Sequence, residues 1–140
     1  MIHLVTGGSG SGKSAYAEQC ILDFGGTRRV YIATMQPFGA EGQARIARHR
    51  KMRAAKKFST IECYTNLKEV ELEPGSDVLL ECMSNLTANE IFDPSGAGKA
   101  RTEEEILAGV SRLANQARNL VLVTNEIFSD GYRYEEETME

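Results

Sequence analysis

The sequence predicts an α/β fold in which a mostly parallel central sheet is flanked by helices. One observation behind this prediction is that short apolar segments alternate with helical patterns along the chain of 140 residues. Another is a glycine-rich segment, GGSGSGKS, between the first apolar segment and the first helical one. Strand, glycine-rich loop and helix in this order are typical of folds that hold phosphate groups at the carboxyl ends of parallel strands.

Five segments rich in β-branched or aliphatic residues predict the strands, at Ile2–Thr6, Val30–Thr34, Ser59–Cys63, Asp77–Cys82 and Asn119–Thr124. The last two contain apolar runs without alternation, which is typical of strands that are covered on both faces in a parallel sheet. We therefore expect helices on both sides of the sheet.

Helical patterns fill the intervals, at Lys13–Phe24, Ala40–Ala55, Ser84–Phe92 and Thr102–Arg118. The last of these begins with Thr-Glu-Glu-Glu, which predicts a capping box in which the Glu105 side chain reaches back to the Thr102 N–H. Proline and glycine predict loops at 35–39 and 93–100.

Residues 7–14 fit the phosphate-loop pattern G-x-x-x-x-G-K-[ST] at every position. In such a loop the backbone N–H groups surround phosphate oxygens, and the following helix N-terminus adds a partial positive charge. Lys13 would reach the β- and γ-phosphates and act in catalysis, and the Ser14 hydroxyl would complete the shell of a Mg²⁺ ion. The predicted phosphate-binding residues are Gly7, Gly8, Ser9, Gly10, Ser11, Gly12, Lys13 and Ser14. The chain is therefore predicted to bind a nucleoside phosphate.

Two further residues are candidates for chemistry. Glu81 ends an apolar strand, where phosphate-loop enzymes place a carboxylate that holds Mg²⁺ or its water, although an ordinary polar strand end is the alternative. His49 lies in a basic helical segment, with Arg45 and Arg53 one turn away on either side, and these cations favour a neutral imidazole. Such an imidazole could attack an α-phosphorus and form a phosphoramidate. A surface histidine in a basic helix fits the spacing somewhat better.

Composition predicts one domain over residues 1–140, with no membrane span because no apolar run approaches the roughly 20 residues required. The first residues lack the pattern of a signal peptide, and three cysteines without C-x-x-C spacing predict reduced thiols and a cytoplasmic location. A net charge of −4 gives no reason to expect nucleic acid as a partner. Seven cations and no acid nevertheless fall within 45–57, which could form a solvated face, a nucleic-acid patch or a cationic helix over a polyphosphate.

Five ordered motifs carry a resemblance to a known family. They are LVTGG running into SGKS at 4–14, YIAT at 31–34, RIARHR at 45–50, LLEC at 79–82 and VTNE at 123–126. In order and spacing they resemble the bifunctional adenosylcobinamide kinase / adenosylcobinamide-phosphate guanylyltransferases of cobalamin biosynthesis. The resemblance implies a RecA-like P-loop sheet, usually assembled as a homotrimer. It also implies phosphorylation of adenosylcobinamide by ATP or GTP, followed by transfer of GMP from GTP with release of pyrophosphate.

The resemblance further assigns roles to residues. The guanylylated histidine of the family falls on His49, and the position before it, where some members have a second histidine, is Arg48. The other nucleotide contacts fall at the end of the second strand, just after the histidine and on two carboxylates, namely Ile32, Ala33, Thr34, Arg50, Lys51, Met52, Arg53, Glu62 and Glu81. Family members also continue for roughly 40 residues beyond Glu140, adding another long helix and the final strands.

Two other functions stay open from the residues alone. In a plain small-molecule or nucleoside kinase, the basic helix would act as a lid, and no covalent nucleotide adduct would form. In a nucleic-acid-binding ATPase module, residues 45–57 would hold the phosphate backbone, and binding would fall steeply with salt. The overall acidity and the lack of aromatic residues within 45–57 count against the second.

Overall fold

The predicted strands form one parallel sheet. The computed structural model describes residues 2–7, 12–35 and 39–125, and the strands are β1 (Ile2–Gly7), β2 (Arg28–Ala33), β3 (Phe58–Glu62), β4 (Ser76–Glu81) and β5 (Asn119–Asn125). Their order across the sheet is β1-β5-β4-β2-β3, and every neighbouring pair is parallel. The predicted α/β class with a mostly parallel sheet is confirmed.

The helices are α1 (Lys13–Asp23), α2 (Gly39–Ala55), α3 (Met83–Phe92) and α4 (Thr102–Gln116). Each predicted end agrees to within two residues. A short 3₁₀ turn at Leu67–Glu69 was not predicted from the sequence. Within the described ranges, no helix is both long and apolar enough to cross a membrane.

The core has two apolar layers, one on each face of the sheet. On one face, Ala17 and Ile21 of α1 pack with Leu79 and Val121, and all four side chains are fully buried. On the other face, the buried leucines of α3 and α4 pack against alternate residues of the same strands, including Leu80. The unbroken apolar runs of β4 and β5 follow from this two-sided burial, as predicted.

The predicted capping box at the start of α4 is wrong. A turn from Gly98 to Arg101 carries the chain into the helix, so Thr102 is the first helical residue and its hydroxyl donates to the Gly98 carbonyl at 2.7 Å. The Glu105 carboxylate accepts a hydrogen bond from Lys68 at 3.1 Å, and this bond holds the pKa of Glu105 below its usual value. A charged partner from a distant part of the chain therefore replaces the local N–H.

Candidate active site

The carboxyl ends of the parallel strands bring several predicted site residues to one edge of the sheet. The strand register places Ala33, Glu62 and Glu81 in one row across β2, β3 and β4. Gly7, at the end of β1, lies two residues beyond the same row. This edge is where α/β sheets bind their ligands.

The phosphate loop leads from this edge into α1. Gly8, Ser9, Gly10 and Ser11 lie outside the described residues, so the described part of the predicted loop is Gly7 and 12–14. Gly12 precedes α1 with a φ of +83°, and a Cβ there would meet open space, so the backbone conformation itself requires glycine. Gly7, Gly12 and Lys13 border a cavity of about 490 Å³, whose apolar wall includes Leu4 and Tyr16.

The structure brings together Ser14 and Glu81, the two predicted metal ligands. The Ser14 hydroxyl donates a hydrogen bond to Oε1 of Glu81, although β5 separates β4 from β1 in the sheet. Helix α1 makes this contact possible because it packs across β5 and β4. The second oxygen, Oε2 of Glu81, accepts a hydrogen bond from the Tyr31 hydroxyl at 2.9 Å.

The donor set at Ser14 and Glu81 fits a hard divalent cation. Mg²⁺ prefers oxygen ligands and usually takes only one or two from the protein, with water and substrate phosphates supplying the rest. No group of three or more histidine, cysteine or carboxylate side chains suited to a metal occurs in the described part of the chain. A metal held by Ser14 and Glu81 would leave coordination positions for water and nucleotide phosphates.

The segment at the end of β2 lies deeper than a nucleotide-contacting surface. The side chains of Ile32 and Thr34 are fully buried, and Ala33 is half-buried. The Thr34 hydroxyl accepts a hydrogen bond from the Cys82 N–H at 2.8 Å, and the Asn89 side chain donates to the Thr34 carbonyl at 2.7 Å. These bonds fix the end of β2 to the end of β4, and Ile32 and Thr34 expose essentially no surface to a nucleotide.

The basic helix α2 meets the same edge of the sheet at β3. Arg50 forms an ion pair with Glu62, and the two side chains remain 48% and 43% exposed. This pair borders a second cavity of about 490 Å³, together with Phe58 and Thr60. Lys51 is exposed, while the side chains of His49, Met52 and Arg53 lie outside the part that the structure describes.

Two residues of this edge were missed from the sequence, Tyr31 and Asn89. A buried tyrosine usually finds a partner for its hydroxyl, so Tyr31 carried a weak signal within a predicted strand. Its partner could not be named, because the pairing of Tyr31 with Glu81 depends on the strand order. Asn89 gave no signal beyond its place in a helical pattern.

Comparison with known proteins identifies the family. A sequence profile described as "Cobinamide kinase / cobinamide phosphate guanyltransferase" matches residues 3–138. The bifunctional adenosylcobalamin biosynthesis protein CobU of Escherichia coli K12 is 35% identical over 140 aligned positions, which cover 91% of this chain and 76% of the relative. The protein of the same description from Salmonella typhimurium LT2 matches with the same identity and coverage. The chain therefore belongs to the cobinamide kinase / cobinamide phosphate guanyltransferase family.

Proposed function

We propose that this protein phosphorylates adenosylcobinamide with ATP or GTP and then transfers GMP from GTP to the new phosphate. The observation that carries the proposal is the contact of Ser14, in the phosphate loop, with Glu81, within a chain that matches the family over residues 3–138. A kinase site of this class needs such a contact, because the hydroxyl and the carboxylate together would hold the metal ion beside the nucleotide phosphates.

The kinase step would use the edge around Gly7 and Gly12. The loop N–H groups would hold the phosphates, and the Lys13 ammonium would balance the charge on the β- and γ-oxygens. Ser14 and Glu81 would hold Mg²⁺, which supplies charge neutralisation for the transferred phosphoryl group. The aminopropanol hydroxyl of adenosylcobinamide would attack the γ-phosphorus, and the nucleoside diphosphate would leave.

The guanylyl transfer would use His49 as a nucleophile. A neutral imidazole nitrogen would form a bond to the α-phosphorus of GTP as the bond to pyrophosphate breaks. An oxygen of cobinamide phosphate would then displace the imidazole and take the GMP group. The ion pair of Arg50 with Glu62 supports this assignment, because it ties the residue after His49 to the carboxyl edge of the sheet.

We further infer that residues 1–140 form one nucleotide-binding domain, that the protein is cytoplasmic and homotrimeric, and that it has no nucleic-acid partner. Three free thiols accord with a reducing compartment, and the five strands share one sheet. The proposed nucleotide contacts beyond the loop are Ile32, Ala33, Thr34, Arg50, Lys51, Met52, Arg53, Glu62 and Glu81.

Intact mass after incubation with GTP and Mg²⁺ tests the function. We expect one covalently added GMP, with the acid lability and base stability of a phosphoramidate. Peptide mapping should place it on His49 and not on His3, which is the other histidine of the chain. In His49→Ala we expect loss of the adduct and of guanylyl transfer, while some phosphorylation of cobinamide remains. A thermal melt of His49→Ala beside the parent distinguishes a folding defect from lost chemistry.

The two alternatives predict different results. A plain kinase would phosphorylate a small molecule without any GMP adduct. A nucleic-acid-binding ATPase would bind oligonucleotides with an affinity that falls steeply with salt. An adduct that survives His49→Ala, or that maps to Ser14 or a lysine, would contradict the assigned nucleophile.

A further inference from the structure

We infer that Tyr31 is a positioning residue that fixes the orientation of the Glu81 carboxylate for the metal and nucleotide. This inference rests on the proposed function, because it takes Glu81 to be a ligand of the metal. It is carried by one hydrogen bond, 2.9 Å from the Tyr31 hydroxyl to Oε2 of Glu81, and by where the sheet places the two residues.

The sheet register explains why Tyr31 reaches Glu81. Tyr31 pairs with Leu79, and Ala33 pairs with Glu81, across the parallel strands β2 and β4. Because side chains alternate along a strand, all four residues lie on the face that α1 covers. The tyrosine is therefore a diagonal neighbour of Glu81 across the two strands.

The two oxygens of Glu81 have partners of different kinds. Ser14, which contacts Oε1, is exposed, so its hydroxyl can turn towards a cation or a phosphate. Tyr31, which contacts Oε2, is only 6% exposed, and its ring packs in the apolar layer with Phe58 and Leu79. The Tyr31 bond can therefore persist when the Ser14 bond is exchanged.

A hydrogen-bond partner at a fixed position matters because the Glu81 carboxylate could otherwise rotate about its last side-chain torsion. The last torsion of glutamate is broad, so burial of the stem does not determine the orientation of the carboxylate plane. A hydrogen bond from a buried hydroxyl to a carboxylate selects one orientation, and bonds to charged acceptors are stronger than neutral ones. Tyr31 thus fixes the carboxylate plane so that the oxygen it does not contact faces Ser14.

A double-mutant cycle on metal binding tests this role. The full chain is titrated with Mn²⁺ in the presence of guanosine 5′-[α,β-methylene]triphosphate, which cannot transfer GMP, and free Mn²⁺ is followed by electron paramagnetic resonance. We expect Tyr31→Phe to weaken Mn²⁺ binding by about five- to twenty-fold, since it removes one hydrogen bond to a charged group. In a Glu81→Gln background, the same change should have at most a two-fold effect, because the group on which Tyr31 acts has been altered.

Controls separate positioning from a general structural role. Tyr64→Phe makes the same chemical change at a half-buried residue after β3 and should leave Mn²⁺ affinity unchanged. Binding of the nucleotide without metal, measured in EDTA, should be the same in Tyr31→Phe and the parent. Tyr31→Met fills a similar apolar volume and repeats the cycle if the phenylalanine variant folds poorly.

The possible outcomes are distinct. If Tyr31→Phe changes Mn²⁺ affinity equally in the parent and in Glu81→Gln, or changes it in neither, the inference about Tyr31 is overturned. The metal role of Glu81 is not affected by either result. Unchanged Mn²⁺ affinity in Glu81→Gln would overturn both, because the carboxylate would then only end a strand. A strong effect in the parent that disappears in Glu81→Gln is the result that we expect.

Discussion

The carboxyl edge and the amino edge of the sheet both carry charged side chains, but they hold them in different ways. At the carboxyl edge, Arg50 and Glu62 pair with each other while each stays nearly half exposed. At the amino edge, Asp77 is fully buried, with the Arg118 guanidinium at 3.7 Å and the Asn119 amide donating to it at 3.0 Å. Arg50 and Glu62 are therefore both accessible to a ligand, whereas the Asp77 carboxylate is not.

The difference follows from the cost of removing charge from water. An exposed ion pair contributes about 0–1 kcal/mol, so a phosphate can replace one partner at little cost. Asp77 is fully buried although Arg118 is half exposed, so loss of its partners would leave an uncompensated buried carboxylate, at a cost of about 1–3 kcal/mol or more. We therefore expect charged residues to serve ligand binding at the carboxyl edge and stability at the amino edge, according to their exposure to solvent.

The two edges of the sheet also require glycine for different reasons. Gly12 is needed for its left-handed backbone, with open space where a Cβ would lie. Gly26 is needed for space, because a Cβ would lie 2.1 Å from Oδ2 of Asp77 and 2.9 Å from the Arg118 guanidinium. Gly12 allows the left-handed turn into α1, and Gly26 leaves room for the buried Asp77 carboxylate and the Arg118 guanidinium.

The largest effect that we predict is on the carboxyl edge. Lys13→Ala should reduce both activities by about 10²–10³-fold, because a charge aimed at the β- and γ-phosphates is lost at the transition state. Binding of GTP should weaken by about 1.5–3 kcal/mol, while the midpoint of thermal unfolding should barely change. A GTP titration and a thermal melt of the same sample measure both. Unchanged GTP affinity would contradict the phosphate-loop assignment.

The amino edge should give the opposite result. We expect Gly26→Ala to lower the free energy of unfolding by about 2–4 kcal/mol, because the new methyl group forces Asp77 and Arg118 apart. Nucleotide affinity of the folded fraction should be unchanged. Gly75→Ala is the opposite case, since Gly75 has a φ of +81° and open space, so any loss of stability there is backbone strain alone, whereas Gly26 has no left-handed backbone. Unchanged stability in Gly26→Ala would show that crowding at Asp77 has no effect.

Gly12→Ala should have a smaller effect on stability and a clear effect on binding. The left-handed backbone at φ +83° costs alanine about 1–2 kcal/mol, and relief of this strain would displace the loop N–H groups from the phosphates. Equilibrium unfolding and GTP titration should therefore both change, whereas Gly26→Ala changes only the first. Full GTP affinity in Gly12→Ala would show that the loop does not depend on this conformation.

The strands and helices could be predicted from the sequence because their signals are local. Apolar runs, the phosphate-loop pattern and glycine or proline breaks lie within a few residues of the element that they define. The contacts of the site span longer distances, since Ser14 and Glu81 are 67 positions apart and Tyr31 and Glu81 are 50 apart. These contacts depend on the strand order β1-β5-β4-β2-β3, which local patterns do not determine. The capping box failed for the same reason, because Lys68 reached Glu105 from another part of the chain.

The smallest predicted effect concerns Cys63. It tests whether solvent exposure, rather than position at one edge of the sheet, determines whether a residue is available to a ligand. Cys63 directly follows Glu62 at the carboxyl edge, but it is 6% exposed and its thiol donates to the Thr65 carbonyl at 3.3 Å. Burial, with the negative charges of Glu90 and Glu69, raises the pKa of the Cys63 thiol from 9.0 to about 11. The native thiol should therefore resist iodoacetamide at pH 8 and react only after unfolding.

The same shift sets the direction of an alkaline effect on stability. Between pH 9 and about 11 the unfolded chain loses this proton and the folded chain keeps it, so the unfolded state is favoured as the pH rises. The stability that the neutral thiol contributes is complete below pH 9 and is lost as the pH passes about 11. We expect urea unfolding of the parent to show a steeper alkaline loss than Cys63→Ala, with Cys20→Ala as the matched control. Equal slopes in the three proteins, or rapid labelling of native Cys63, would mean that solvent reaches even the buried positions of the carboxyl edge. Only the burial of Asp77 at the amino edge would then support the contrast between the two edges.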